Sequence, residues 1–267
     1  MHDDDVPVGR VLGRRQALAI LGLSGVALTV AGAGTAAATD CGPVDCVAKP
    51  EMTEGPYFVD EGLNRSDIRS DPSDGSVSAG TTLTMNLRVL QISDGRCAPL
   101  PDAVFDVWHC DAAGLYSDIA QEGSVGRKFL RGYQVTDRAG RVRFTTVLPG
   151  WYRGRTVHIH IKIRTTGTDG NPYEFTSQLY FTEEFKARYL TAEPYASKGM
   201  PDTTNAQDGI YSAGGVGDQM LLRPNRRGRG YAADFAIGLD LSDTAVGADD
   251  GFGGGPGGPP PTDPPTA

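Results

Sequence analysis

The stretch TVHIHIKI, residues 156–163, decides the fold of this chain. Two histidines, His158 and His160, alternate in it with valine and isoleucine. Successive side chains of a β-strand point to opposite faces of the sheet, so residues two apart share a face. The pattern therefore predicts a strand with one apolar face, which can pack in a core, and one face that presents two imidazoles side by side.

Short alternating segments on both sides of this stretch predict an all-β fold, a two-sheet β-sandwich. In the clearest of them Leu83, Met85, Leu87 and Val89 fall on one face. The predicted strands cover residues 81–92, 103–108, 128–136, 141–146, 157–163, 177–181 and 233–241.

The segments between these strands predict a hairpin turn, one short helix and two long loops. Residues 137–140, DRAG, form a hairpin turn signal, because glycine tolerates positive φ. Thr182 is a suitable cap for a helix over residues 183–190. Residues 47–80 and 191–230 are long and irregular, and such loops in a compact domain are usually functional or disordered. We expect these long loops to form the walls of an active-site pocket.

The first 38 residues are typical of an export signal of the twin-arginine type. Arg14 and Arg15 precede a stretch of small and aliphatic residues, and Ala36–Ala38 offers a small-residue cleavage site. A membrane-spanning helix is the alternative, but the stretch is rich in Gly and Ala and only weakly hydrophobic. We therefore predict residues 1–38 as a cleaved signal, a secreted, extracytoplasmic protein and no stable membrane association after cleavage.

The rest of the chain divides into a domain and a tail. Residues 246–267 are dominated by Gly and Pro, so we expect a disordered tail. Residues 39–245 have the length of one domain with a well-packed interior.

The charge balance argues against nucleic acid as a partner. The formal net charge is −8 and the pI is about 5.0. No extended basic tract is present. The run RPNRRGRG, residues 223–230, is the one local exception, and we interpret it as a solvated loop.

The four cysteines suggest disulfides, because their number is even and the protein is predicted to be exported. Three pairings are possible. We favour Cys41 with Cys46 and Cys97 with Cys110, since each pair closes a short loop. A thiolate metal site is the competing interpretation, but no CxxC pair supports it.

Histidine is scarce, and this narrows the chemistry of any metal site. The chain has four histidines, of which His2 lies in the predicted signal. A site at His158 and His160 must therefore recruit other ligand types. Tyr116 and Tyr152 are candidate oxygen donors, although a tyrosine taken alone is more often a core or surface aromatic. The free phenol has a pKa of about 10, and a nearby trivalent cation such as ferric iron can stabilise its ionised form.

Four segments together resemble the intradiol ring-cleavage dioxygenases, enzymes that open catechols with non-haem Fe(III) and O2. The order of these segments and their approximate spacing also match that family. The segments are TEGPYFVD at 53–60, DVWHCDAAGLYSD at 106–118, VTDRAGRVRFTTVLPGWYRGRTVHIHIKI at 135–163 and TSQLYF at 176–181.

The resemblance implies a site and a reaction. Its four iron ligands fall on Tyr116, Tyr152, His158 and His160, with Tyr152 also accepting a substrate proton. Two phenolates balance most of the charge of a trivalent ion, and hard oxygen ligands favour Fe(III) over Fe(II). The expected partners are a small catechol and O2, and the expected product is a cis,cis-muconate-type diacid.

Two further residues of the family pattern fall on Arg155 and Gln178. The resemblance implies that Arg155 stabilises charge that develops on the ring, and that Gln178 orients both the arginine and the substrate. The segment GPYF, residues 55–58, resembles the loop that lines the family's substrate pocket.

Two alternatives stay open on the sequence alone. One is a non-catalytic β-sandwich that binds an aromatic or carbohydrate ligand. The other is a zinc or copper site with three histidines that includes His109. We interpret His109 instead as a structural residue, since the family does not use it as a ligand.

Overall fold

The chain folds into two five-stranded sheets in the computed structural model, which describes residues 47–243. Their strands are β1 (Thr82–Ser93), β2 (Arg96–Pro99), β3 (Val104–Trp108), β4 (Arg131–Val135), β5 (Arg141–Val147), β6 (His158–Thr166), β7 (Pro172–Phe181), β8 (Leu221–Leu222), β9 (Asn225–Arg227) and β10 (Gly230–Leu239). The described residues also contain the short helices α1 (Glu183–Tyr189) and α2 (Gly209–Ser212). The predicted all-β sandwich is confirmed, with few short helices.

The first sheet is built around β1. This strand runs parallel to β10, with Leu83 opposite Tyr231 and Gln91 opposite Leu239. On its other side β1 pairs in antiparallel fashion with β5 along its first half and with β2 at its end. The short strand β9 completes this sheet beside β10.

The second sheet has the order β4-β3-β6-β7-β8 and holds the histidine strand at its centre. Strand β6 is antiparallel to both β3 and β7. In this register His160 lies opposite Trp108 on one side and Gln178 on the other. Sheet pairing therefore brings Gln178 beside the histidines, although the two are far apart in the chain.

The core lies between the two sheets. Leu83, Met85, Leu87 and Val89 are buried on one face of β1, as their alternation predicts. They meet the buried isoleucines of β6, of which Ile161 is fully inaccessible to solvent. The predicted apolar face of the histidine strand is therefore a core face.

Several strand ends differ from the predicted positions. The strand predicted over 128–136 begins only at Arg131, while the one predicted over 177–181 begins earlier, at Pro172. Strands β2, β8 and β9 and helix α2 were not predicted, because each is too short to show a period. The predicted helix cap is confirmed: the Thr182 hydroxyl accepts a hydrogen bond from the amide of Phe185 at 3.2 Å.

The pairing of Cys97 with Cys110 is wrong. Cys110 is a free, buried thiol whose Sγ lies 3.7 Å from the carbonyl oxygen of Gly150. Cys97 is disulfide-bonded, but not to Cys110. The physical reason is that Cys97 lies on β2 of the first sheet, whereas Cys110 follows β3 of the second. Cys41 and Cys46 lie outside the described residues, and so does their predicted pairing.

The predicted signal, residues 1–38, and the predicted tail, residues 246–267, also lie outside the described residues. Within residues 47–243 no helix has the length and apolar character needed to cross a bilayer.

Candidate metal centre

Strand β6 and two loops bring four donor atoms together. His158 and His160 share one face of β6, Tyr116 lies in the loop after β3, and Tyr152 lies in the loop between β5 and β6. The Nε2 atom of His158 is 3.0 Å from Nε2 of His160, 3.1 Å from the phenol oxygen of Tyr152 and 3.4 Å from that of Tyr116. The four predicted ligands therefore converge on one point.

This spacing fits a single bound metal ion. Ligand atoms that bind a metal at about 2.1 Å and at right angles to each other are about 3 Å apart. Within residues 47–243 no group of three or more His, Cys, Asp or Glu side chains is placed to hold a metal. A metal at the two histidines therefore needs the two phenols, and this donor set of two hard oxygens and two imidazoles suits a trivalent ion.

The histidines are held in the orientation that ligands need. His158 donates from Nδ1 to the carbonyl oxygen of Thr156 at 2.7 Å, which leaves its Nε2 lone pair for a metal. The ring of His160 stacks on the indole of Trp108, with centroids 4.8 Å apart and an interplanar angle of 8°. At Gly55, φ is +71°, and an added Cβ would lie 3.6 Å from Cε1 of His160. The positive φ, and not crowding against the imidazole, is what favours glycine at this position of the loop before β1.

Burial sets the protonation states of all four donors. It lowers the pKa of His158 and of His160 well below the usual range, so both imidazoles are neutral, the form that binds metals. It also raises the pKa of both phenols. The nearby guanidinium of Arg155 offsets part of this effect at Tyr152. The phenols thus ionise only when a cation occupies the point between them.

The two tyrosines have different surroundings. Tyr116 is fully buried, and its ring stacks on Tyr57 with centroids 4.4 Å apart. Its backbone amide donates a hydrogen bond to the carboxylate of Glu122, which fixes the loop that carries Tyr116. Tyr152 is only partly buried. Tyr116 is therefore the more enclosed donor, and Tyr152 is the more accessible one.

Arg155 and Gln178 form one buried hydrogen-bonded group with three other residues. The Arg155 guanidinium donates to Oε1 of Gln178 at 2.6 Å and from Nε to Oδ2 of Asp208 at 2.9 Å. The Tyr180 hydroxyl donates to the same Gln178 oxygen at 3.0 Å, and the Gln178 amide donates to the carbonyl oxygen of Thr53 at 3.1 Å. The structure therefore joins the two predicted catalytic residues to each other.

Sequence reasoning missed Asp208. This fully buried carboxylate accepts hydrogen bonds at Oδ2 from Arg155 and from the amide of Thr156, and at Oδ1 from the amides of Ile210 and Tyr211 at the start of α2. An aspartate before a helical turn can be recognised as a cap. Nothing in the sequence indicates that its second oxygen holds an arginine 53 residues earlier.

Arg131 was also missed, and it connects the two loops that cover the centre. Its guanidinium donates to the carbonyl oxygens of Tyr57 and Val59, and also to the hydroxyl and carbonyl oxygens of Ser117. Burial lowers its pKa to about 10, so it stays charged at neutral pH. An arginine in an alternating strand carries no sequence signal for this role.

His109 is a structural residue, as predicted. Its two ring nitrogens lie 2.7 Å from the carbonyl oxygen of Cys110 and 2.7 Å from the hydroxyl of Thr146. Burial lowers its pKa to about 4. With both nitrogens engaged away from the other histidines, His109 does not contribute to a three-histidine site.

Comparisons with known proteins match this region. A family model described as dioxygenase covers residues 53–198, more than half of the chain. Catechol 1,2-dioxygenase of Acinetobacter baylyi is 28% identical over 164 residues, 51% of this chain and 51% of that protein. Chlorocatechol 1,2-dioxygenase of Pseudomonas putida is 32% identical over 100 residues, 31% of this chain and 36% of that protein. The chain thus spans about half the length, or less, of these curated relatives.

A solved structure extends the similarity beyond the matched segment. The intradiol ring-cleavage dioxygenase from Tetranychus urticae superposes with a TM-score of 0.63 and 28% identity. The match covers 73% of this chain and 96% of that one. All four converging donors and Arg155 and Gln178 lie inside the residues of the family match.

Proposed function

This chain belongs to the intradiol ring-cleavage dioxygenases, and from that membership we propose that it opens catechol-type aromatics with Fe(III) and O2. The observation that carries the proposal is the convergence of four side chains. The phenol oxygens of Tyr116 and Tyr152 and Nε2 of His160 all lie 3.0–3.4 Å from Nε2 of His158. These four side chains would hold the iron. Bound Fe(III) would supply an electrophilic centre that draws electron density from a chelated catechol and makes the ring reactive towards O2.

Tyr152 is the residue best placed to accept a substrate proton. It is the partly exposed phenol of the two. A catechol that enters beside it can pass a hydroxyl proton to the Tyr152 oxygen. Tyr116 is fully buried and stacked on Tyr57, so it would stay in place while Tyr152 changes its protonation state.

Arg155 would stabilise negative charge on the bound substrate. Its positive charge lies close enough to Tyr152 to oppose the burial effect on the pKa of that phenol. Gln178 and Asp208 fix the guanidinium, so it need not reorganise when charge develops. Removal of one such donor typically costs about 3–4 kcal/mol in the transition state.

The proposed reaction needs no further reductant. The bond between the two hydroxyl-bearing carbons breaks, and each of these carbons becomes a carboxyl carbon. Each new carboxyl group retains one catechol oxygen and gains one atom of O2. Catechol plus O2 therefore balances with cis,cis-muconic acid in atoms and in electrons.

The test is oxygen uptake by the iron-loaded protein with catechol, 4-methylcatechol, protocatechuate and hydroxyquinol. We expect one molecule of O2 consumed per molecule of diacid formed with at least one of these substrates. A protein that binds catechols but consumes no O2 would instead be a binding module and would contradict the proposal.

We also propose that the chain is exported in folded form through Arg14 and Arg15, with cleavage after Ala38. The support is the sequence pattern alone. Replacement of both arginines by lysine should keep the protein inside the cell. Equal export of this variant and the natural chain would contradict the proposal.

A further inference from the structure

The outer face of the first sheet carries a group of arginines without carboxylate partners. Arg88 on β1 lies opposite Arg141 on β5, and Arg143 lies opposite Asn86. Both β5 arginines are exposed, because the intervening Val142 faces the core. Like charges opposite each other on neighbouring strands repel, so this pattern is unfavourable unless something else uses it.

In the second sheet, by contrast, the cationic side chains of the central strand are paired with carboxylates. On β6, Lys162 is paired with Glu54 and Glu174, and Arg164 is paired with Asp60 and Asp106. By contrast, the side chains of Arg141 and Arg143 make no hydrogen bond or ion pair with any other residue among 47–243. The excess of positive charge is therefore a local property of the first sheet, in a chain whose net charge is −8.

These arginines line a cavity of about 950 Å³. We call it the cationic trough and define it by Lys49, Arg88, Arg141, Arg143 and Arg223. Its walls also include the polar side chains of Asn86, Gln134, Asp137 and Asp234. Lys49 already donates to the carbonyl oxygen of Gln219, but the four arginines alone outnumber the two carboxylates and give the trough a positive balance.

The run at residues 223–230 extends the same surface. Residues 223 and 225–229 are exposed, in agreement with a solvated segment, but Asn225–Arg227 form strand β9, which pairs with β10 of the first sheet, so the run is not a loop throughout. Arg223 lines the trough, and Arg226 and Arg227 are exposed on the strand beside it. Two separate parts of the chain thus supply unpaired arginines to one sheet.

We propose that the cationic trough binds an acidic polysaccharide, a polymer of uronic acids. Guanidinium groups bind carboxylates through two parallel hydrogen bonds, so Arg141 and Arg143 suit the carboxylates of such a chain. Asn86 donates to Asp234 at 2.9 Å and Gln134 donates to Asn64 at 3.0 Å, and the remaining hydrogen-bonding positions of Asn86, Gln134 and Asp234 can bind sugar hydroxyls. The trough would hold the protein on a charged matrix while the metal centre, formed on the other sheet, stays available to small substrates.

The same composition argues against nucleic acid as the occupant. A duplex carries about one charge per 1.7 Å of its axis, a denser line of anions than the few cations of the trough can match. The carboxylates of Asp137 and Asp234 inside the trough repel so dense an anion. A uronic acid polymer has fewer charges per unit length. The neutral hydroxyls between its charges can donate hydrogen bonds to these two carboxylates.

The test measures binding of the full chain to polygalacturonate by calorimetry at low and at high salt. Fully methyl-esterified polygalacturonate is the matched ligand control, since it keeps the sugars and lacks the charge. The variant is Arg141→Gln with Arg143→Gln. The matched control variant is Arg69→Gln with Arg188→Gln, which removes two partly or fully exposed arginines that are paired with Asp67 and Glu184.

We expect binding that weakens at high salt, is absent with the esterified polymer, and falls about tenfold in Arg141→Gln with Arg143→Gln. The control variant should bind within about twofold of the natural chain, and both variants should keep their activity on soluble catechols. Equal binding of the two variants, binding of the esterified polymer, or no binding at low salt would overturn the proposal. Tighter binding to duplex DNA than to polygalacturonate would also overturn it.

Discussion

The central strands β1 and β6 both bury an apolar face in the core, but their outer faces differ in exposure to solvent. In β1 of the first sheet, buried residues alternate with more accessible ones such as Asn86 and Arg88. In β6 of the second sheet, every residue from His158 to Ile163 is buried. The outer face of β6 is buried because two long loops cover it. Thr53 in the first loop accepts a hydrogen bond from Gln178, and Asp208 in the second accepts one from Arg155.

This comparison shows how an ordinary sheet becomes a reactive site. An antiparallel sheet commonly leaves one face in water, and polar side chains there are solvated. When loops cover that face, burial lowers the pKa of its histidines and makes an unpartnered charge costly. Donors that would be ordinary surface residues on the first sheet thus become a metal centre on the second.

The largest effect is expected from loss of a donor on the covered face. His160→Ala should abolish iron binding and lower turnover more than about a hundredfold, because only three ligands remain. Asn86→Ala, at an outward position of β1, should stay within about twofold of the natural chain. Iron content and oxygen uptake of the two variants measure this difference. Retention of iron and activity by His160→Ala would remove the distinction between the sheets.

The apolar faces should respond alike. Ile161→Ala on β6 and Leu87→Ala on β1 should each lower the free energy of unfolding by about 2–5 kcal/mol, since both remove fully buried methyl groups. Urea unfolding of the iron-free proteins checks this. If only one of the two variants were destabilised, the core would not be shared between the sheets.

A smaller effect is expected where the cover is anchored. Asp208→Asn removes the negative charge that holds Arg155, so turnover should fall about tenfold to a hundredfold while iron binding and the visible spectrum persist. Asp234→Asn, on the outer face of β10, should leave turnover unchanged. Loss of the iron spectrum in Asp208→Asn would show that this residue supports the metal site as a whole and does not only position Arg155.

The smallest effect is expected in the pH dependence of stability. The pKa of buried His109 is lowered to about 4, so the unfolded chain takes up a proton at about pH 6.5 that the folded chain refuses. Stability of the iron-free protein should therefore fall as pH drops from about 6.5 to about 4. His109 would contribute about 2 kcal/mol of this loss at pH 5, where the folded protein still excludes the proton.

His109→Gln is the matching variant for this pH effect. Its free energy of unfolding should fall less between pH 7 and pH 5 than that of the natural chain, because the contribution of His109 is removed while those of His158 and His160 remain. The same pH dependence in both proteins would contradict the assignment to His109.

Much of this architecture was predictable, because alternation reports directly on a strand with two different faces. The apolar residues of β1 and β6 and the positions of Tyr116 and Tyr152 follow from local patterns and from motif order. Long-range partners do not. Asp208 reaches Arg155 only because the loop before α2 folds back over the sheet, and no local rule contains that path.

The cysteines and the arginine run make the same point. A short spacing between Cys97 and Cys110 suggested a disulfide, yet Cys97 lies on β2 of the first sheet and Cys110 follows β3 of the second. The run at residues 223–230 has the composition of a loop, yet parallel pairing of β10 with β1 leaves an edge that β9 joins. Sheet membership, which sequence spacing does not report, decides both cases.

The most direct measurement is the visible absorption of the purified protein during titration with Fe(III). We expect a broad phenolate-to-iron charge-transfer band that saturates at one iron per chain and is altered in both Tyr116→Phe and Tyr152→Phe. A protein that stays colourless with iron bound, or a band that is unchanged in both variants, would contradict the assignment of these two phenols to the metal centre.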